Sequence, residues 1–464
     1  MAEADPTTTD SAAIETNASP SEAASPGISN TRMALLFTVM LVTAAGNTAM
    51  QSVMPSIGTA LQVEDFWISL AYSWSALLWV VCAPIWARRS DRRGRKAMMA
   101  LGLIGFVVSM ALCGVALWAG LAGYLGAATA LFAFAAARSL YGGFGSAAPP
   151  AVQAYVASRT APSERTQALS LVASSFGLGT VFGPVLAPLM VLPFFGFGLT
   201  GPFICYALLG LAALIVLRLR LPNDEPRFAA RGRAYGAPYG GGSHPAEAAH
   251  HEDEAEAPHD HSETSDARLK WSDRRVRPWV IAMLIGGHAQ AMLLGIVGFL
   301  TLDRLGLRDN PQEGAAIVSL VLVFGAIATL LAQWGLIPRF KIGPRAATLS
   351  GVTVAACGTA IFGGSSDLFT LALGYAIASL GFGLFRPGTT AGTSLSVSRA
   401  EQGQASGIVA STAGASFIYA PPLGVWLYNQ SAWLGIGLVI AFCVLVAIIG
   451  WRGLQQDEAL IREG

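Results

Sequence analysis

Arg138, Arg386 and His288 are the ionisable side chains that stand well inside the long apolar runs of this 464-residue sequence, where charge is least tolerated. A guanidinium at the centre of a bilayer costs at least ~2.5 kcal/mol, so each arginine is expected to face a cavity or a partner. Arg138 is read either as a pairing group within its own half of the chain or as a cavity group. Arg386 is read either as a cation facing a ligand or as a helix-end packing residue. His288 has an ordinary pKa near neutrality and is a candidate for exchanging protons, the alternative being a hydrogen-bonded packing histidine. The uncharged Asn47, Gln51, Gln290 and Gln333, with Tyr141, are the other candidates for lining a cavity. No carboxylate lies deep in a run. The nearest are Glu64 and Asp65 before the second run and Asp303 at the end of the seventh, which makes Asp303 the second proton-exchange candidate.

The elements that must position these groups are legible from hydropathy. Apolar runs cover 33–55, 67–87, 97–118, 127–152, 167–192, 199–219, 279–302, 314–336, 345–364, 367–394, 404–427 and 432–451. Each approaches the ~20 residues a helix needs to cross roughly 30 Å of hydrocarbon. With 53% hydrophobic and 12% charged residues, the composition lies far from the ~25% charge of soluble domains. The expected fold is therefore an all-α integral membrane protein of twelve transmembrane helices. The predicted organisation is a disordered tail over 1–31, a six-helix bundle over 32–221, a linker over 222–275, a second six-helix bundle over 276–453 and a tail over 454–464. The first tail has no basic start and no apolar core and does not read as a signal peptide. The linker holds five of the six histidines, His244, His250, His251, His259 and His261, among acids, alanines and prolines. No pair of them has the spacing of a structural zinc site, so no metal is expected. Cys82, Cys113, Cys205, Cys357 and Cys443 fall singly within runs and read as small packing residues.

Charge placement orients the bundle. With twelve crossings both termini share a side, and that side carries all 29 Lys and Arg except Arg304 and Arg308, opposite, and Arg138 and Arg386, within runs. Basic residues mark cytoplasmic loops, so both termini are expected in the cytoplasm.

The two bundles are repeats. "GFGSAAPP" (143–150) matches "GFGLFRPG" (381–388), and after a one-residue slip "ERTQA" (164–168) meets "EQGQA" (401–405) and "FGPVLAP" (182–188) meets "YAPPLGV" (419–425). Two parallel repeats with a site between them near mid-membrane describe a rocking transporter.

Three stretches carry a resemblance. In "ARRSDRRGRK" (87–96), Asp91, Arg92, Gly94, Arg95 and Lys96 follow the second run on the basic side. A carboxylate among bases beside a positive helix end can act as a breakable latch, and Gly94 permits a tight turn. The second-half counterpart, "PRFKIGPR" (338–345), keeps Gly343 and its bases but lacks the acid. In "GLGTVFGPVLAP" (177–188), Gly179 and Gly183 form a small-residue face for close helix approach, while Pro184 and Pro188 remove backbone donors. The third is "ARSLYGGFGSAAPPAVQAYVASRTAPSERTQA" (137–168). Together they resemble the major facilitator superfamily and, within it, the twelve-span drug/proton antiporter branch that includes tetracycline exporters. The loop pattern of that family is Gly-x-x-x-Asp-Arg-x-Gly-Arg-Arg/Lys, with Ala87 in the first place here. Its antiporter pattern is Gly-x-x-x-Gly-Pro-x-x-Gly-Gly, with Ala187 and Pro188 in the last two.

The resemblance implies two pseudo-symmetric bundles and proton-coupled export of amphipathic, drug-like small molecules by alternating access across the bacterial inner membrane. The span 1 acid of several such antiporters is replaced by Asn47 and Gln51. One alternative is an anion exchanger or uptake system using Arg386 and Arg138; another is a non-transporting membrane sensor built on the His-rich linker. No nucleotide loop, nucleophile motif or metal triad is present, so neither an enzyme nor a cofactor is expected, and the proton gradient is the energy source. The expected partners are a small-molecule substrate and the lipid bilayer, with no nucleic acid, and the chain is expected to be a monomer.

Overall fold

The computed structural model describes residues 28–157, 159–160, 162–191, 197–222, 269–397 and 401–458. Backbone N–H and C=O groups in hydrocarbon have no water to bond, so runs this apolar satisfy them internally as helices. The first half contains α1 (Asn30–Ala60), α2 (Asp65–Arg93), α3 (Arg95–Leu121), α4 (Ala127–Phe144), α5 (Ala148–Ala157), α6 (Pro162–Met190) and α7 (Gly201–Arg220). The second contains α8 (Arg277–Arg304), α9 (Pro311–Leu330), α10 (Ile337–Phe340), α11 (Pro344–Gly364), α12 (Leu368–Leu395), α13 (Gln402–Gln430) and α14 (Ala432–Gly453).

Among the described residues, ten helical segments are long and apolar enough to cross a membrane, against the twelve runs of the sequence. The difference falls at the fourth and fifth runs. The fourth is broken into α4, a 3-10 turn at Gly145–Ala147, and α5. Pro149 and Pro150 explain the break: their rings clash with the carbonyls of the preceding turn and remove two donors. α6 is one continuous helix of 29 residues, Pro162–Met190, and among the described residues its apolar part is Ser174–Met190. The eighth run is one rod, but α9 widens into a π turn at Leu331–Leu336 just before Pro338, where a regular α-turn would meet the proline ring. The His-rich tract lies outside the described residues.

Large apolar side chains point outward, among them Phe132 (78% exposed), Leu219 (77%) and Phe369 (84%), the arrangement of a protein whose solvent is lipid. Within each half, α1 packs on α6 and α8 on α13; between halves, α1 and α6 meet α9, and α2 meets α13.

The α1–α6 contact rests on the small-residue face of α6. A Cβ on Gly183 would sit 2.1 Å from Thr48 Oγ1 and 2.4 Å from the Ala45 carbonyl oxygen. The two backbones approach closely enough that Thr48 Oγ donates to the Gly179 carbonyl at 3.2 Å. Gly183→Ala is expected to push α6 off α1 and lower stability by ~1–3 kcal/mol, the usual cost of overpacking, read as a depressed melting temperature in detergent.

Gly94 links α2 to α3 at φ +89°, a conformation L side chains rarely adopt, as its place in the loop pattern anticipates. The equivalent loop of the second half, lacking an acid of its own, borrows one from the C-terminal segment. Asp457 accepts from the backbone N–H of Arg345 at 2.7 Å and of Ala346 at 3.2 Å, capping the N-terminus of α11. Arg345 in turn donates to the Trp451 carbonyl at 2.7 Å. Asp457→Ala should destabilise the second half by ~1 kcal/mol, measurable as faster hydrogen exchange at Arg345 and Ala346.

Candidate functional site

The site is built along α1 and α12, whose lining residues fall at helical spacing. A central cavity lies between the halves and encloses about 1030 Å³, part of it open to the exterior. From α1 it is lined by Ala44, Asn47, Thr48 and Gln51, spaced i, i+3, i+4, i+7. From α12 come Tyr375, Ser379, Phe382 and Arg386, again one stripe, and Gln290 (α8), Gln333 (the π turn), Phe176 (α6) and Phe417 (α13) close it. The π turn that sequence periodicity could not anticipate sets where Gln333 falls on the rod, a position at which such turns recur in functional sites.

Beyond it, one to two turns further along α1, a smaller and mainly apolar pocket is lined by Gln51, Met54 and Pro55 with Tyr72, Phe299 and Phe417. Further still, where α1 and α8 end, the halves are tied by charge. The Arg308 guanidinium forks onto Asp65, Nη1 to Oδ1 at 2.8 Å and Nη2 to Oδ2 at 2.7 Å. Its Nε also meets Asp303 Oδ1 at 2.7 Å, and its Nη1 donates to Thr59 Oγ1 at 3.2 Å. The Tyr428 hydroxyl donates to the other oxygen of Asp303. Thr59 and Asp65 belong to the first half, Asp303, Arg308 and Tyr428 to the second, so one arginine clamps both. Burial works against the Arg308 charge, but hydrogen bonds and attraction from Asp65 and Asp303 outweigh it and raise its pKa, so it stays protonated at any working pH. This clamp lies at the opposite end of α2 from Gly94 and the basic loop. Sequence reading missed it as a unit, although its signals were present: Asp65 and Asp303 are the acids closest to the runs, and Arg308 is one of two bases on its side.

Five sequence candidates converge on the central cavity: Asn47, Gln51, Gln290, Gln333 and Arg386. Three others sit off it. Arg138 is fully buried in α4, donates through Nη2 to Asn47 Oδ1, and has Tyr141 4.5 Å and Tyr72 6.0 Å from its guanidinium carbon by ring centroid. Arg138 and Tyr141 are thus placed one layer behind the wall, holding Asn47, rather than in it. His288 is buried in α8 with Nδ1 2.6 Å from the Leu284 carbonyl and its ring 4.8 Å from that of Tyr419, away from the lining residues. Asp303 is in the clamp. Of the basic loop, Arg95 is buried and Lys96 Nζ donates to the Arg218 carbonyl at 3.0 Å. The side chains of Asp91 and Arg92 lie outside the described residues. Among those described, no cluster of His, Cys, Asp and Glu could hold a metal ion.

A helical membrane protein in two halves, with a polar-lined cavity between them, is the architecture of a transporter rather than of an enzyme. Residues 36–362 match the Major Facilitator Superfamily, and the chain belongs to it. It is 25% identical to multidrug resistance protein 2 of Bacillus subtilis over 434 residues, 88% of this chain and 92% of that protein. It is 29% identical over 193 residues to a Streptomyces coelicolor protein described as "Probable actinorhodin transporter", a match covering 40% of this chain and 31% of that protein. Its fold resembles, at a TM-score of 0.68 and 11% identity, a bacterial homologue of the human lysosomal transporter Spinster in an inward-facing, unoccupied conformation; that match covers 93% of this chain and 97% of the other.

Proposed function

We propose that this chain is a proton-coupled exporter of amphipathic small molecules that works by alternating access between its two halves in the bacterial inner membrane. Twelve crossings, with the broken α4–α5 segment and the 29-residue α6 counted as spans, put both termini in the cytoplasm. The observation that carries the reading is the line of three spaces along α1: the central cavity, the smaller apolar pocket, and the clamp of Asp65, Arg308 and Asp303. A ligand site with a bistable seal beyond it is what rocking transport requires. In this reading the clamp is the outer gate, closed here, and the cavity is reached from the basic, cytoplasmic side. Relatives named as multidrug resistance proteins, one of them as a multi-drug resistance efflux pump, support export as the direction.

Coupling is assigned to Asp303 rather than His288. Asp303 holds the Arg308 guanidinium from within the second half while that guanidinium reaches Asp65 of the first, so a proton on Asp303 acts on the seal through Arg308, whereas His288 is not among the residues of the cavity lining or the clamp. The test uses purified protein in liposomes with an imposed pH gradient and an internal pH dye. Cargo-dependent collapse of the gradient that vanishes in Asp303→Asn and persists in His288→Gln is the expected result. Gradient collapse that survives Asp303→Asn would move coupling elsewhere, and cargo flux without proton flux would remove it.

A further inference from the structure

The proposed function leaves the charge of the cargo open, and the lining of the central cavity speaks to it. Arg386 is the one charged side chain among the described lining residues, and no carboxylate is among them. Like charge in the wall disfavours a cation. The neutral polar groups lean the same way. Asn47 commits its amide oxygen to Arg138, so what it keeps for a ligand is an N–H donor. Arg386 also stands one helical turn from Phe382, and Phe417 lines the same cavity, so apolar aromatic surface shares the wall with the cation.

Resting on the transport reading above, we infer that the cavity selects aromatic anions, with Arg386 binding the cargo's oxyanion and the phenylalanines its ring system. A guanidinium suits carboxylate, sulfonate or phenolate oxygens by geometry as well as charge. Membrane depth strengthens the discrimination, since the low dielectric around the cavity magnifies both attraction to anions and repulsion of cations.

Fluorescein and rhodamine 123 share a xanthene ring system and differ in charge, anionic against cationic near neutral pH, and so isolate the charge term. The full chain in liposomes with an imposed pH gradient is expected to carry fluorescein faster than rhodamine 123. Arg386→Ala should lower the fluorescein-to-rhodamine ratio about 30-fold, the loss typical of removing one partner of a desolvated charge pair. Arg386→Lys should keep most of it, and Arg386→Glu should invert it. The inversion is read as a rise in rhodamine 123 flux above that of the unmodified chain, a gain that misfolding cannot produce. Faster rhodamine flux in the unmodified chain, or a ratio indifferent to Arg386→Glu, would overturn anion selection while leaving transport standing. Flux of neither dye above empty liposomes would overturn both.

Discussion

Arg308→Ala should open the end of the molecule that the clamp closes. With the guanidinium gone, Asp65 and Asp303 remain as two carboxylates facing each other across the halves, so attraction is replaced by repulsion. Asp65 is nearly buried, at 9% side-chain exposure, while Arg308 is 30% and Asp303 39% exposed, so solvent screens part of the effect. An interaction of ~1–3 kcal/mol is what such a contacting network carries, and it moves a two-state equilibrium by roughly 5- to 150-fold. Spin labels placed at Gln62 and Asn429, which line the space outside the clamp, should show a longer distance population in Arg308→Ala than in the unmodified protein. Transport should fall at least tenfold, because a gate that cannot close cannot complete the cycle. Asp65→Asn should have the smaller effect: it leaves Arg308 paired with Asp303 inside the second half and creates no repulsion. Arg308→Lys should fall between, keeping the charge but losing the fork that reaches both acids. An unchanged distance distribution in Arg308→Ala would show that apolar packing, not charge, holds this end shut.

How much of this was legible in the sequence depends on the range of the interaction. Helices were, because apolar length is a local property: runs such as 33–55 and 432–451 lie inside α1 and α14. Gly179 and Gly183 were readable as a packing face because spacing on one helix suffices to say so, and in the structure α1 approaches both closely. What the sequence could not supply was pairing between distant segments. Arg138 and Asn47 lie ninety-one positions apart, Asp65 and Arg308 two hundred and forty-three, and nothing in either neighbourhood names the partner. Likewise the acid missing from the second-half loop comes from Asp457, beyond the last helix. The breaks at Gly145–Ala147 and Leu331–Leu336 were hidden for another reason: hydropathy is blind to hydrogen-bond register, and only the prolines nearby hinted at them.

Asn47→Leu should be the most destabilising single change in the first half. Its amide oxygen accepts from Arg138, whose side chain is fully shielded from solvent, so leucine would leave a buried guanidinium short of an acceptor. Removing one partner of a buried charged contact costs ~3–5 kcal/mol, whereas leucine's own extra burial returns at most ~1–2. The Tyr141 and Tyr72 rings hold the cation electrostatically, which moderates the loss but cannot replace a hydrogen bond. The net expectation is a loss of ~2–3 kcal/mol, seen as poor recovery of monodisperse protein and a lower melting temperature. Asn47→Asp separates the structural role of this contact from its role in the cavity. It restores the acceptor and should recover folding, yet it sets a carboxylate in the cavity wall and gives an anionic cargo a like charge to cross. Folding retained with fluorescein transport lost is the expected result for that variant. Equal stability of Asn47→Leu and the unmodified chain would mean that Arg138 does not depend on Asn47, and Asn47 would then count only as a lining residue.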